Sequence, residues 1–188
     1  MSRRPVSQRR PTAGTWISGP GRSGSGAQER AGCGDNRLMS FLQEKVERND
    51  LIRVAVTGSP AAQQFTAIVE EVYSARVFRA EAGSEIRFVG KPPHWGQRPL
   101  VVGQRALLFV SRISGRWYED AWEGDLPIEE IDGSECALHR VAHERVLAFD
   151  GLPDALRAGS RPHPTLPITT CFELAALERH LTGLIEGR

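Results

Sequence analysis

The sequence predicts an α+β fold that is mainly β: a small five-stranded barrel with flanking helices. Three observations lead there. Apolar runs of strand length follow one another between residues 52 and 122, with no long helix between them. Gly, Pro and Ser punctuate those runs at turn positions, and helical periodicity is confined to a short start near Ser40 and to the last third. A chain of 188 residues that is 40% hydrophobic can bury one substantial core.

Residues 1–38 are rich in Arg, Gly, Ser and Pro and lack aliphatic clusters, so they are expected to be disordered. Seven arginines there face only Glu29 and Asp35, a net charge of +5. Such a segment reads as an RNA-binding arm, or as an extension that is not translated if the true start is Met39. At the next step Ser40 can cap a helix with Gln43 three residues on, and Leu42 and Val46 form an i, i+4 apolar pair. That helix should end near Asn49-Asp50.

Strands follow. Ile52, Val54 and Val56 alternate with Arg53, Ala55 and Thr57, until Gly58-Ser59-Pro60 is expected to break the run. Phe65, Ala67 and Val69 share a face, and the successive Glu70 and Glu71 then throw Val72 out of phase, which predicts a β-bulge. Ile86 and Phe88 mark a third strand. Lys91–Pro99, with its prolines, reads as loop. Ala106–Val110 is apolar without interruption, as suits a central strand buried on both faces. Ser114-Gly115 is a hairpin turn, and Trp117–Trp122 completes the set.

Further on, Leu138, Val141, Ala142, Val146 and Phe149 recur at helical spacing, and residues 152–168 form a Pro-rich connector. Thr170 and Glu173 suggest a capping box for a last helix whose stripe is Leu174, Leu177, Leu181, Leu184 and Ile185. Three segments result: the extension 1–38, a short helix and barrel over 39–135, and a helical C-terminal segment, 136–188, packed on the barrel.

Phe65-Thr66-Ala67-Ile68-Val69-Glu70-Glu71-Val72-Tyr73, Gly83–Phe88, Val102–Val110 and Trp117-Tyr118 together resemble the OB-type barrel of the netrin-like and tissue-inhibitor-of-metalloproteinase superfamily, in a bacterial branch. The resemblance covers residues 51–131 and implies a five-stranded OB-like barrel. Inhibitors of that superfamily reach a metal through an N-terminal cysteine inside a disulfide frame. Here no cysteine lies between Cys33 and Cys136, so the resemblance carries that chemistry to no residue.

Composition narrows the function classes. No apolar run reaches the roughly 18 residues a membrane helix needs, and no secretory h-region follows Arg3-Arg4 or Arg9-Arg10. Three cysteines, Cys33, Cys136 and Cys171, make no disulfide framework, which points to a reducing cytoplasm. Basic residues are 22 arginines and two lysines, Lys45 and Lys91, a ratio that reads as the codon bias of a GC-rich genome.

The strongest compositional feature is acidic. Glu119, Asp120, Glu123, Asp125, Glu129, Glu130, Asp132 and Glu135 fall in 17 residues with no lysine or arginine among them. A face of that kind repels phosphate backbones and attracts a basic protein. The sequence therefore points to a non-enzymatic protein-binding module, of the class of immunity or regulatory proteins that mask a basic partner. Tyr118 and Trp122 would be its anchors, and Glu119, Asp120, Glu123 and Asp125 its steering charges. One alternative is a single-stranded nucleic-acid binder stacking bases on Trp117, Tyr118 or Trp122 beside Arg112 and Arg116. Another is a metal-dependent enzyme using Cys136, His139 and His143, which a helix would align along one edge. No catalytic signature and no cofactor motif is present.

Overall fold

The computed structural model describes residues 41–92, 98–121, 123–140 and 152–187. In chain order it contains helix α1 (Phe41–Arg48) and strands β1 (Asp50–Ala61), β2 (Gln64–Ser74), β3 (Glu85–Val89), β4 (Arg105–Ile113) and β5 (Arg116–Glu119). These are followed by β6 (Asp125–Ile131), β7 (Ser134–Arg140), α2 (Asp154–Ala158), β8 (Arg161–Pro162), β9 (Thr169–Glu173) and α3 (Leu174–Glu186). Strands β1, β2, β3, β5 and β4 pair in that order, and β4 returns to β1. The result is a closed five-stranded barrel, compatible with an OB-like fold. Its single parallel contact within the barrel is β3 on β5, where Phe88 faces Trp117 and Val89 faces Tyr118.

Alternation along the strands builds two cores. Ile52, Val54 and Val56 of β1, Phe65, Ala67 and Val69 of β2, and Ala106, Leu108 and Val110 of β4 fill the barrel. The opposite faces of β1 and β4, through Leu51, Leu107 and Phe109, pack against α1, α2 and α3. Strand β4 is thus buried on both faces, which is why its sequence is apolar without a break. Leu42 and Val46 of α1 and Leu174, Leu177 and Leu181 of α3 supply the helical side of that second core.

The β-bulge lies where the phase slip predicts it. Val54 pairs with Val69 and Arg53 with Glu71, so Glu70 is the extra residue. Ser114 and Gly115 both take positive φ, as a tight hairpin requires. Strand β1, however, runs on through Gly58-Ser59-Pro60 to pair with the start of β2. On its β4 side the pairing ends at Ala55 and the last backbone bonds are those of Val56 with Gly103 and Gln104, so the N–H that Pro60 lacks leaves no bond to β4 unmade.

The larger corrections fall after residue 124. The acidic stretch, where no strand was expected beyond Trp122, forms strand β6 and most of a β6–β7 hairpin. Residues 134–140 form strand β7 in place of the expected helix start, and the rest of that helix, 141–149, lies outside the described residues. The hairpin turns at Asp132-Gly133, both at positive φ. Strand β9 pairs with β7 and takes up Thr170 and Glu173, so no capping box forms; Glu173 precedes α3 without a side-chain cap. β6, β7, β9 and β8 therefore extend the barrel sheet outward from β4.

One polar device ties α1 to the barrel. The Asp50 carboxylate accepts the backbone N–H groups of Arg76, Val77 and Phe78 at 2.7–2.9 Å. The Arg76 guanidinium donates to the carbonyls of Val46, Glu47 and Asn49 at the end of α1. Asp50→Ala strands several of these donors, one of them the buried Phe78 N–H, and is expected to lower stability by about 2–4 kcal/mol in urea unfolding. An unchanged midpoint would contradict this.

Candidate functional site

Strands β3 and β5 are parallel and finish at the same end of the barrel, which brings Lys91 beside Glu119. The turn that follows β5 carries the chain across to β6. It is stitched to β4 by the Phe109 N–H, which donates to the Gly124 carbonyl at 2.7 Å, and by the Asp120 N–H, which donates to the Phe109 carbonyl at 2.9 Å. A Cβ on Gly124 would fall 2.3 Å from the Asp120 carbonyl oxygen and 2.6 Å from Glu119 Cγ, so only glycine fits that crossing.

Carboxylates on either side of the turn are aimed inward to three parts of the fold, the end of β3, β7 and the α1 region. Glu119 and Asp125, with side chains 3% and 1% exposed, meet Lys91, and Asp125 also meets Arg140 at the end of β7. Asp120 accepts from Lys45 Nζ of α1 at 2.5 Å and from Asn49 at 2.7 Å. Glu123 lies 2.5 Å from His139 Nε2, whose ring stands edge-on to Phe41. A single turn thereby fastens the barrel to α1 and to the β6–β7 hairpin.

Most of the acidic run is consequently engaged from within the chain. Among the described residues, Glu129 pairs with His163, Asp132 with Arg161 and Glu135 with Arg105, in addition to the four carboxylates just described. Glu130, Asp132 and Glu135 remain exposed at the hairpin, and Glu130 faces Glu135 across it. Of the six residues expected to contact a partner, Glu119 and Asp125 are buried, and Asp120 and Glu123 are turned to internal bases. Tyr118 stays half-buried on the outer barrel face, and Trp122 lies outside the described residues. In this conformation, neither Glu119 nor Asp125 presents its charge to solvent.

The Cys136, His139 and His143 set also changes. On a strand, Cys136 and His139 fall on opposite faces. Cys136 packs with Leu138 and Cys171, whereas His139 faces α1, and His143 lies outside the described residues. Among the described residues no three His, Cys, Asp or Glu side chains come together as a metal-ligand set.

Electrostatics sharpen the picture at Lys91. Its backbone N–H donates to Glu119 Oε2 at 3.1 Å, and its ammonium donates to Asp125. Nζ also lies 3.1 Å from Glu119 Oε1, off the hydrogen-bonding direction, so that buried oxygen has no donor aimed at it. Burial, and then the neighbouring Asp125 charge, push the Glu119 carboxyl up to about 8, against the pull of Lys91. Burial acts on Asp125 in the same sense, but Lys91 and Arg140 outweigh it and hold that carboxyl below its usual value. Burial also lowers the Lys45 ammonium, despite Asp120.

The signs give a pH profile. Glu119 holds its proton more tightly folded than unfolded, so its stabilising contribution is complete below 4.5 and is withdrawn as pH rises to about 8. Asp125 contributes above 3.8, and that contribution is lost as pH falls below it. Urea midpoints measured across about pH 4 to 9 should therefore peak in mild acid and decline towards 8. Glu119→Gln should flatten the decline; an equally steep decline in that variant would contradict the assignment.

Sequence reading named Glu119, Asp120, Glu123 and Asp125 but missed Lys45, Lys91 and Arg140. A signal was present. The chain holds only two lysines among 24 basic residues, and both are buried at this turn, 7% and 6% exposed. A compact ammonium fits between converging carboxylates where a planar guanidinium does not. Compared with known proteins, the chain matches no family model, and no curated protein or solved structure matches it.

Proposed function

We propose that the protein is a non-enzymatic binding module with a netrin-like OB barrel, and that its partner is a protein held on the outer face of β3, β5 and the end of β4. The observation that carries this reading is the division of the barrel surface. Helices α1, α2 and α3 cover the outer faces of β1 and β4 around Leu51, Leu107 and Phe109. On the other side, Arg87, Val89, Arg116, Tyr118 and Ile113 point outward, and Ile113 is 56% exposed. Arginine, tyrosine and an aliphatic residue on one rigid sheet are the composition of an interface hot spot.

The charge of this face is positive, so an acidic protein surface complements it better than the basic one expected from the acidic run. The order in which the barrel closes supports the netrin-like reading at the level of fold, which is silent on activity. Capture from the native host by the full chain should recover one protein. Tyr118→Ala should weaken it by about 30-fold, the effect of losing a 2 kcal/mol anchor. Capture unaffected by Tyr118→Ala or by Arg116→Glu would refute this surface.

A second reading is favoured by one specific contact: the Arg112 guanidinium stands 5.6 Å over the Trp117 ring, on the strand face opposite Tyr118 and Arg116. A cation beside an aromatic ring suits single-stranded nucleic acid, with a base stacked against the pair. Fluorescence anisotropy with a labelled oligonucleotide separates the two readings, because nucleic-acid binding falls steeply with salt. Recovery of nucleic acid alone would replace the protein-partner reading.

A further inference from the structure

We propose that Arg87 and Arg116 form a binding site for a phosphate monoester, so that the partner protein docks on the outer barrel face through a phosphorylated side chain. This inference rests on the protein-binding reading above and names the chemistry at the centre of that face.

Register brings the two arginines together. Strands β3 and β5 run parallel, with Phe88 beside Trp117 and Val89 beside Tyr118, and one step back in the same register sets Arg87 beside Arg116. Phe88 and Trp117 pack with the barrel core, so alternation turns both arginines outward, and both are exposed. Across the sheet, Thr66 of β2 lies opposite Arg87, and Ile113 of β4 lies opposite Arg116. The next outward row is Gln64, Val89, Tyr118 and Ser111. These two rows hold two cations and no carboxylate. Glu85 lies on the same face of β3, two residues before Arg87, and no ion pair joins them.

Like charges side by side on neighbouring strands repel, so the fold itself gains nothing from this pair. Other arginines of the sheet are engaged: Arg53 and Arg105 share Glu70, Arg140 meets Asp125 and Arg161 meets Asp132. Among the described residues, neither the Arg87 nor the Arg116 guanidinium has an ion pair or a hydrogen bond. Two adjacent guanidiniums match an anion with two charges and several acceptor oxygens. A phosphate monoester carries about −1.5 to −2 charges at neutral pH and three such oxygens. A carboxylate or a phosphodiester carries one charge and leaves one of the two cations unbalanced. Tyr118, two residues along β5 on the same face, adds an aromatic surface and a hydroxyl donor. Ile113, 56% exposed, gives apolar ground beside Arg116 that an isolated anion would leave bare and a peptide segment would cover.

The test uses the full chain and three probes: a capped Ala-phosphoserine-Ala peptide, the same peptide unphosphorylated, and dimethyl phosphate. In nuclear magnetic resonance titrations the amides of Arg87, Val89, Arg116 and Tyr118 should shift with the phosphorylated peptide at millimolar concentration, and not with the other two. Arg87→Gln and Arg116→Gln should each weaken that binding about tenfold or more, the effect of losing a charge-assisted contact. Arg157→Gln, which removes the same charge from α2, should leave it unchanged. No shift at these residues with the phosphorylated peptide, or equal shifts with dimethyl phosphate, would overturn the assignment. Capture from the native host separates this inference from the reading beneath it. Treating the extract with phosphatase should abolish recovery of the partner. Recovery that survives phosphatase but is weakened by Tyr118→Ala overturns the phosphate site and keeps the protein-binding reading. Recovery of no protein from untreated extract overturns both.

Discussion

Asp125→Ala is expected to lower stability by about 3–5 kcal/mol, because it leaves the Lys91 ammonium and the Arg140 guanidinium without the carboxylate on which both converge. For a domain of this size each kcal/mol corresponds to roughly 2–4 °C in Tm, so a fall of about 10 °C should be seen by calorimetry. The cost arises from uncompensated buried cations and not from the loss of an attraction. The two explanations separate experimentally. Replacing the whole cluster by apolar residues of similar volume, with Lys91→Met, Glu119→Leu, Asp125→Leu and Arg140→Met together, should recover most of the stability lost in Asp125→Ala. If Asp125→Ala unfolds at the parent temperature, Lys91 is satisfied by Glu119 alone, and the cluster is not the join between barrel and hairpin.

Phe109→Ala is the second large effect, expected at about 3–5 kcal/mol. The Phe109 side chain is fully buried where the barrel meets the helices, and its backbone holds both ends of the acidic turn. Truncation opens a cavity at the centre of the second core while leaving the barrel interior filled. Phe109→Leu, which keeps most of the volume, should cost less than about 1.5 kcal/mol. Because Leu177 of α3 belongs to the same cluster, Phe109→Ala and Leu177→Ala should combine non-additively in a double-mutant cycle. Additive costs would mean that barrel and helix are stabilised independently. The distinction bears on function, since the proposed binding face is presented by a sheet whose far side those helices brace.

The barrel was legible because its signals are local. Period-2 alternation in Ile52–Val56, the phase slip at Glu70-Glu71 and the unbroken apolar run Ala106–Val110 each report a strand's own two faces, and each appears where read. The hairpin β6–β7 was missed although Asp132-Gly133 is a strong turn signal. Eight carboxylates obscured it, since charge of that density resembles a solvated loop until its partners are known. Leu138 then fitted a helical spacing as well as a strand one, Thr170 and Glu173 resembled a capping box, and pairing between β7 and β9 decided both.

The candidate site divides in the same way. By itself the sequence determined that carboxylates cluster after Trp117, that Tyr118 lies on the face opposite Trp117, and that lysine is almost excluded from the chain. Only the tertiary structure decided that Lys45, 75 residues from Asp120, and Lys91, 34 residues from Asp125, come to meet those carboxylates. It also turned Glu119, Asp120, Glu123 and Asp125 into an internal seam, while Glu130, Asp132, Glu135 and the arginine-bearing face of β3 and β5 stay open. The physical reason is that alternation and turn chemistry act between neighbours in the chain. Whether a charge faces water or a buried partner depends on which distant strand the closing barrel sets beside it.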